Sequence, residues 1–439
     1  MEDKNWYRIN DPNEVISPAL LVYPARILHN IKKMIEMAGG TEHLRPHIKT
    51  HKTAEIIQMQ LDSGIRKFKC ATIAEAELLA LSGVPDILLA MQPVGANMAR
   101  FFKLMHKYPE SDFSALVDNI ETLKALSSMA KSNGPGVTKR QPRDIKATGR
   151  PAKSQRAVVS LWMDINCGMN RTGILPGKNA IALYREMDAD PNVKAMGLHA
   201  YDGHIRNTNV TRRKKDCDRA FEAVMNLKSE LEAGLASAGV ESAGVESPGE
   251  ESAGVESRLE IAKPESKASI GGIPVGGIPV GGIPVRGIVA GGSPTFPFHA
   301  KRDGVVASPG TTLLWDAGYG ALFPDMEFLP AAVLLTRIIS KPAKDTICLD
   351  LGHKHIAPEM PFPRVQFLNL ENGVQKGQSE EHLVLECKNA EDYAVGDILY
   401  ALPVHICPTV AKYERLQVVS EGKIIDSWEV AARKSRITV

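Results

Sequence analysis

Short β-branched runs alternate with helix-like stretches over most of this chain, and that alternation restricts the possible folds more than any other feature. Eight runs read as strands: RPHIK (45–49), FKCA (68–71), DILLAM (86–91), SALVD (114–118), VVSLWMDI (158–165), AMGLHAY (195–201), RGIVAG (286–291) and TTLLW (311–315). The segments between them carry helical signals. TAEIIQMQLDSG (53–64) sets Ala54, Ile57 and Leu61 at i, i+3 and i+7 and stops at Gly64. Thr72 and Glu75 form a T-x-x-E capping box ahead of AELLALSG. Residues 212–231 repeat the apolar spacing through Phe221, Val224, Met225 and Leu231. Eight strand-then-helix units predict an α/β fold, a (β/α)8 barrel. The alternative, a doubly wound sheet, normally carries a Gly-rich turn after its first strand, and here that turn reads KTHK.

Beyond about residue 320 the pattern becomes short alternating strands between Gly, Pro and Asn turns, from AAVLLTRIIS to LQVVSEGKIIDSWEV. The barrel is therefore expected over 18–318, and a β-rich domain over 1–17 plus 319–439; the first twenty residues can join the second unit because ALLVY (19–23) precedes the first clear barrel unit. Two segments break the pattern. Residues 131–156 hold eight Lys/Arg and one Asp without an aromatic residue, which reads as a solvated loop rather than a nucleic-acid arm. Residues 236–287 repeat SAGVE at 237, 242 and 252 and GGIPV at 271, 276 and 281. Those periods are too short for solenoid units, so the region reads as a low-complexity insertion.

The 439 residues suit two to three domains, and a net charge of +2 makes no whole-chain case for nucleic acid or an anionic membrane. No apolar run approaches the roughly 20 residues of a membrane span. The polar start, MEDKNWYRINDPNEV, has no apolar signal core, and six scattered Cys fit a reducing cytoplasm.

Several chemistry-bearing residues fall at the predicted strand ends, the face where barrel enzymes place their catalytic groups. Lys49 ends the first strand among His47, His51 and Lys52. A lysine crowded by cations can be nucleophilic, although the same turn also reads as a solvated basic loop. Gly291, Gly292 and Ser293 follow the seventh strand, and SPG (308–310) lies in the eighth unit. Both suit a phosphate, and both are also ordinary turn sequences. CGMNRTG (167–173) presents Arg171, and HAYDGH (199–204) presents Tyr201 and His204. In PVHICPT (403–409), His405 and Cys407 would point to one face of a strand and offer nitrogen and sulfur to Zn²⁺, or be a core His and a buried Cys.

Taken together, RPHIKTHK, MDINCGMNRTGILPG, GLHAYDGH, GGSPTFP, SPGTTLLWDAGY and HICPT resemble the D-threonine aldolase/D-serine dehydratase family over about Pro18 to Ala432. These are pyridoxal-phosphate enzymes of the alanine-racemase fold (fold type III). The resemblance implies that Lys49 is the Schiff-base lysine, that Arg171 contacts the cofactor ring oxygen and that Tyr201 lies beside the ring near its nitrogen. It implies that Gly291, Gly292 and Ser293 bind the phosphate with Gly310 as a neighbour, and that His405 and Cys407 hold a divalent metal. A homodimer packed barrel to β-domain is also implied. The implied reaction is metal-assisted lysis of a β-hydroxy-D-amino acid. Dehydratase-like members carry His-x-Cys and use zinc, whereas aldolase-like members carry His-x-Asp and prefer manganese, so Cys407 points to a D-serine-type dehydratase. D-threonine aldolase is the alternative, followed by an amino-acid racemase, which the His-x-Cys pair disfavours, and a non-enzymatic cofactor carrier, which the C-terminal domain disfavours. His47, His51 and His353 are left without a role.

Overall fold

The computed structural model describes residues 5–132, 158–234 and 282–439. The basic segment lies outside these residues except for Lys131 and Ser132, which end a helix, and of the repeat region only 282–287 are described. Those six residues lead into the barrel, with Val285 buried and the Ile283 N–H donating to Leu231 O at 2.9 Å.

The chain opens with β1 (Ala19–Val22) and α1 (Pro24–Ala38), then alternates through α2 (Ala54–Asp62), β2 (Lys67–Cys70), α3 (Ile73–Leu81), β3 (Asp86–Leu89), α4 (Ala96–Lys107), β4 (Asp112–Val117) and α5 (Ile120–Ser132). It continues with β5 (Val159–Ile165), α6 (Lys178–Ala189), β6 (Val193–Ala200), α7 (Val210–Ala233), β7 (Ile288–Ala290), α8 (Phe296–His299), β8 (Val305–Ala307) and α9 (Ala317–Leu322). Strands β2 to β8 form one seven-stranded parallel sheet in sequence order. The eighth position is taken by the segment 44–47. Its Leu44 bridges Ala307 of β8 and its His47 bridges Lys69 of β2, both in parallel. The predicted first strand is thus a pair of bridges rather than a ladder. Pro46 has no N–H to donate and only accepts, from Lys69 N–H at 2.9 Å, and a tight turn follows at Ile48–Thr50. The predicted eighth strand, TTLLW, is corrected: Thr311–Leu313 is a 3-10 turn whose Thr311 carbonyl takes the N–H of Leu314 and Trp315, and the true strand is VVA, just before SPG.

Helix signals are realised locally. In α2, Ile57 and Leu61 are buried as the spacing required. In α7, Phe221, Val224 and Leu231 face the core, but Met225 is exposed, one position round from the buried stripe. Thr72 Oγ1 accepts the Glu75 N–H at 3.1 Å, but Glu75 reaches the Ala71 N–H at 2.6 Å instead of closing the box, because its other oxygen is ion-paired with Lys52. Leu88, Leu116, Trp162 and Val289 form one buried cluster on the inner face of the strands, and Phe68 and Phe101 are fully buried in the layer between strands and helices.

The remaining strands are β9 (Ala332–Ala343), β10 (Thr346–Leu349), β11 (Val365–Phe367), β12 (Gly373–Gln378), β13 (Leu383–Cys387) and β14 (Ile398–Pro403), then α10 (Ile406–Val410), β15 (Arg415–Ser420) and β16 (Lys423–Glu429). With β1 they form a nine-stranded sheet, antiparallel except for β1 against β15. Although β1 falls inside the range expected for the barrel, it is an inner strand of this second sheet, between β9 and β15. The N-terminal chain therefore starts in the β-rich unit and enters the barrel through α1. No helix among the described residues is long and apolar enough to cross a membrane. All six cysteines are free thiols.

Candidate active site

The site lies where the C-terminal ends of the barrel strands meet α10. Lys49 sits in the turn after the closing segment, where the buried His47 accepts the Lys49 main-chain N–H on Nδ1 at 3.2 Å. Burial, and then the Lys49 charge, hold His47 well below the usual histidine range, so it stays a neutral acceptor. His51 is fully buried and accepts the Thr53 N–H, and His353 lies in the β-rich domain.

Three basic side chains surround one aromatic ring. The centroid of Tyr201 lies 5.6 Å from Lys49 Nζ, 5.9 Å from Lys69 Nζ and 4.8 Å from the Arg171 guanidinium carbon. Two glycines set the position of the ring. A Cβ on Gly292 would stand 3.0 Å from Tyr201 Cε2, and one on Gly203 would overlap the phenol itself. Gly203→Ala should therefore displace the ring with the fold intact, and should weaken binding of the cofactor that the sequence resemblance implies by about tenfold, measured by absorbance titration against circular dichroism.

The Gly291–Ser293 and Gly310 loops come together, but with their donors partly spent. Gly291 donates its N–H to Ala200 O at 3.0 Å and Gly292 donates to Thr295 Oγ1 at 3.2 Å. Ser293 Oγ accepts the N–H groups of Gly310 and Thr311 at 3.1 and 3.0 Å, tying the two loops together. Ser293 is buried, and its own N–H meets no acceptor among the described residues. A buried orphan N–H beside a hydroxyl hydrogen and the Arg171 cation fits an anionic group such as a phosphate. Gly310 contributes closeness rather than a donor, since a Cβ there would press on His47 at 3.2 Å.

His405 and Cys407 converge, but not along a strand. His405 is the extended residue that caps α10, and Cys407 lies in the first turn of that helix. Asp316 makes this geometry: one oxygen accepts the Ile406 N–H at 3.0 Å and the other caps α9 through the Tyr319 N–H at 2.8 Å. Burial pushes the Asp316 carboxyl up to about 6. The two side chains share a hydrogen bond, which pushes His405 up to about 9. Burial alone would raise the Cys407 thiol, but His405 and Thr50 bring it below its ordinary value. His405 Nδ1 lies 2.6 Å from Glu359 Oε1, leaving the other ring nitrogen for Cys407. An imidazole oriented by a carboxylate and paired with a cysteine sulfur is a donor set that suits Zn²⁺. Thr50, the residue after Lys49, holds Cys407 Sγ at 3.2 Å, and Thr311 approaches it at 3.6 Å. That contact brings the lysine turn and the His–Cys pair to one place.

Several participants carried no recognisable signal in the sequence. Glu359, Asp316 and Thr50 act through partners dozens to hundreds of residues away. A second cluster, Asp202, Cys217 and His299, is the only group of three closely spaced metal-capable side chains among the described residues. It is already satisfied as a hydrogen-bond network: Asp202 accepts from Thr295 Oγ1 and His299 Nε2, both at 2.7 Å, and Arg302 donates to His299 Nδ1. It fastens the Tyr201 loop to the Gly291–Ser293 loop.

Comparison with known proteins agrees with the fold. Residues 22–248, more than half of the chain, match the family described as alanine racemase, N-terminal domain, and residues 331–419 match the putative serine dehydratase domain. A D-threonine aldolase of Arthrobacter sp. is 24% identical over 430 residues, spanning 95% of this chain and 93% of that protein. The crystal structure of D-threonine aldolase from Filomicrobium marinum shares the fold at TM-score 0.72, with 20% identity over 96% of each chain. D-threo-3-hydroxyaspartate dehydratase from Delftia sp. HT23 does so at TM-score 0.66, with 19% identity over 95% of this chain and 98% of that one. With both of its domains matched in order, the chain belongs to the alanine-racemase-fold, pyridoxal-phosphate-dependent family that holds the D-threonine aldolases and D-serine dehydratases.

Proposed function

We propose that this protein is a pyridoxal-phosphate- and divalent-metal-dependent lyase of β-hydroxy-D-amino acids, acting as a D-serine-type dehydratase. The carrying observation is the Thr50–Cys407 contact, which sets a His–Cys pair suited to zinc beside the lysine turn. When bound, the cofactor supplies an electron sink at the substrate's α-carbon and the metal supplies Lewis acidity at its β-oxygen.

The chain's own residues do the rest. Lys49 offers the amine that carries the cofactor, and its turn is held from below by His47. Ser293, through its N–H and hydroxyl, and the cation Arg171 receive anionic groups, while Tyr201 supports the ring from a fixed position. His405 and Cys407 would hold the metal, with Glu359 and Thr50 fixing their directions. Loss of the α-proton leads to departure of the β-hydroxyl and to a 2-oxo acid with ammonia. Loss of the hydroxyl proton instead breaks the Cα–Cβ bond and gives glycine with an aldehyde.

A D-threonine aldolase is the second reading, favoured by the aldolase relative that matches almost the whole chain. Product analysis with D-serine and D-threonine, with and without a chelator, separates them. Chelator-sensitive 2-oxo acid and ammonia are expected. Glycine with acetaldehyde from D-threonine makes the protein an aldolase in spite of Cys407. A homodimer is part of this proposal. The exposed Met91, Val94 and Leu175, in loops that follow β3 and β5, offer apolar surface for a second copy, and light scattering reads the mass.

A further inference from the structure

Lys69 is a buried charge to which the reading above gives no task. It stands on β2, 2% exposed, inside the barrel. Among the described residues its amine has one hydrogen-bonding partner, His199 Nε2 at 3.5 Å, and no carboxylate. His199 Nδ1 lies 2.7 Å from Asp164 Oδ1. Burial would raise the Asp164 carboxyl, but the hydrogen bond from His199 holds it below its ordinary value, so it is an anion. Nδ1 therefore carries the ring hydrogen, and Nε2 turns a lone pair to Lys69. Amine, imidazole and carboxylate make one line across β2, β6 and β5, and the amine end faces the same Tyr201 ring as Lys49.

Lys49 and Arg45 face Lys69 as cations, Asp164 and Asp202 as anions, and His47 and His199 as neutral rings. Burial first, then Lys49, brings Lys69 down to about 7. Above that pH it is a neutral amine with a free electron pair.

We propose that Lys69 is the proton acceptor for the substrate's ammonium group. An amino acid arrives as an ammonium ion, and its nitrogen attacks only as the free amine. The substrate N–H bond breaks with its electron pair left on the substrate nitrogen, and a new N–H bond forms at Lys69 Nζ. The positive charge moves with the proton, is steadied by Asp164 through His199, and returns to the departing nitrogen at the end of the cycle. The proposal rests on Lys49 being the lysine that carries the cofactor.

D-Alanine tests it without turnover, because it has the amine and lacks the β-hydroxyl. Its exchange onto the loaded protein is read by stopped-flow absorbance against pH. In the wild type the rate should rise with pH and level off once Lys69 has lost its proton, well below the pH at which the amino acid itself does. Lys69→Met should keep the cofactor band but be slower by about 10²-fold at pH 7. Its rate should keep climbing with pH until the amino acid itself loses its proton in solution. Lys69→Arg keeps a charge and a donor for His199 but does not release a proton, so it should be equally slow. A Lys69→Arg variant that exchanges at the wild-type rate, or a Lys69→Met profile that still levels off where the wild type does, overturns the proposal. Should Lys69→Met fail to fold, the Lys69→Arg variant and the wild-type profile still decide it. A wild-type protein that never forms the lysine-bound cofactor band overturns both this proposal and the assignment of Lys49. Normal loading with unaffected variants overturns this proposal alone.

Discussion

Lys49→Ala is expected to abolish the absorbance of the lysine-bound cofactor and to lower turnover by on the order of 10⁴-fold or more, the scale seen when a covalent-catalysis residue is lost. The substitution removes the amine and little else. The contact that holds the turn runs from the Lys49 main-chain N–H to His47, and alanine retains it. Lys49 is only half-buried and has no hydrogen-bonded side-chain partner among the described residues, so thermal stability should change little. The fold is thus expected to survive while the chemistry is lost. Retention of the band would place the cofactor on another lysine. Lys69 would be the first to examine, since its amine stands almost as close to the Tyr201 ring.

Cys407→Ala is expected to lose the bound metal and about 10³-fold in activity, a few kcal/mol of Lewis-acid stabilisation, while keeping the cofactor band. The two effects separate because the sulfur touches the lysine turn only through Thr50. Metal content by elemental analysis and the absorbance spectrum together check this outcome. A metal-free variant with full activity would remove the metal from the proposed function. Cys407→Asp exchanges the soft ligand for a hard one and should move the preference from zinc toward manganese.

Much of the architecture was legible in the residues. The strands predicted at 68–71, 86–91, 114–118, 158–165 and 195–201 coincide with β2 to β6 within a few residues, because a parallel strand buried on both faces must be a continuous apolar run. The helix stop at Gly64 and the start at Thr72 were similarly local, since a cap or a left-handed residue acts within one turn. Errors arose where local preference was weak or overruled. VVA is three residues long and offers little pattern, whereas TTLLW has strand composition but is bent by hydrogen bonds to Thr311. His405 and Cys407 were placed on a strand because their spacing suits one, and the Asp316 carboxylate, ninety residues upstream, makes that stretch a helix start instead.

Residue order alone therefore settled the class of fold, the order of its strands and the loops that carry chemistry, because periodicity, turn residues and caps act over a few neighbouring positions. Folding settled which of those residues meet. Lys69 faces His199 across 130 positions of chain and Thr50 faces Cys407 across 357, and neither pairing leaves a mark on the residues beside it. Such contacts come from barrel closure and from docking of the β-rich sheet, where burial strips water from charged groups and leaves the neighbours brought by the fold to set their protonation.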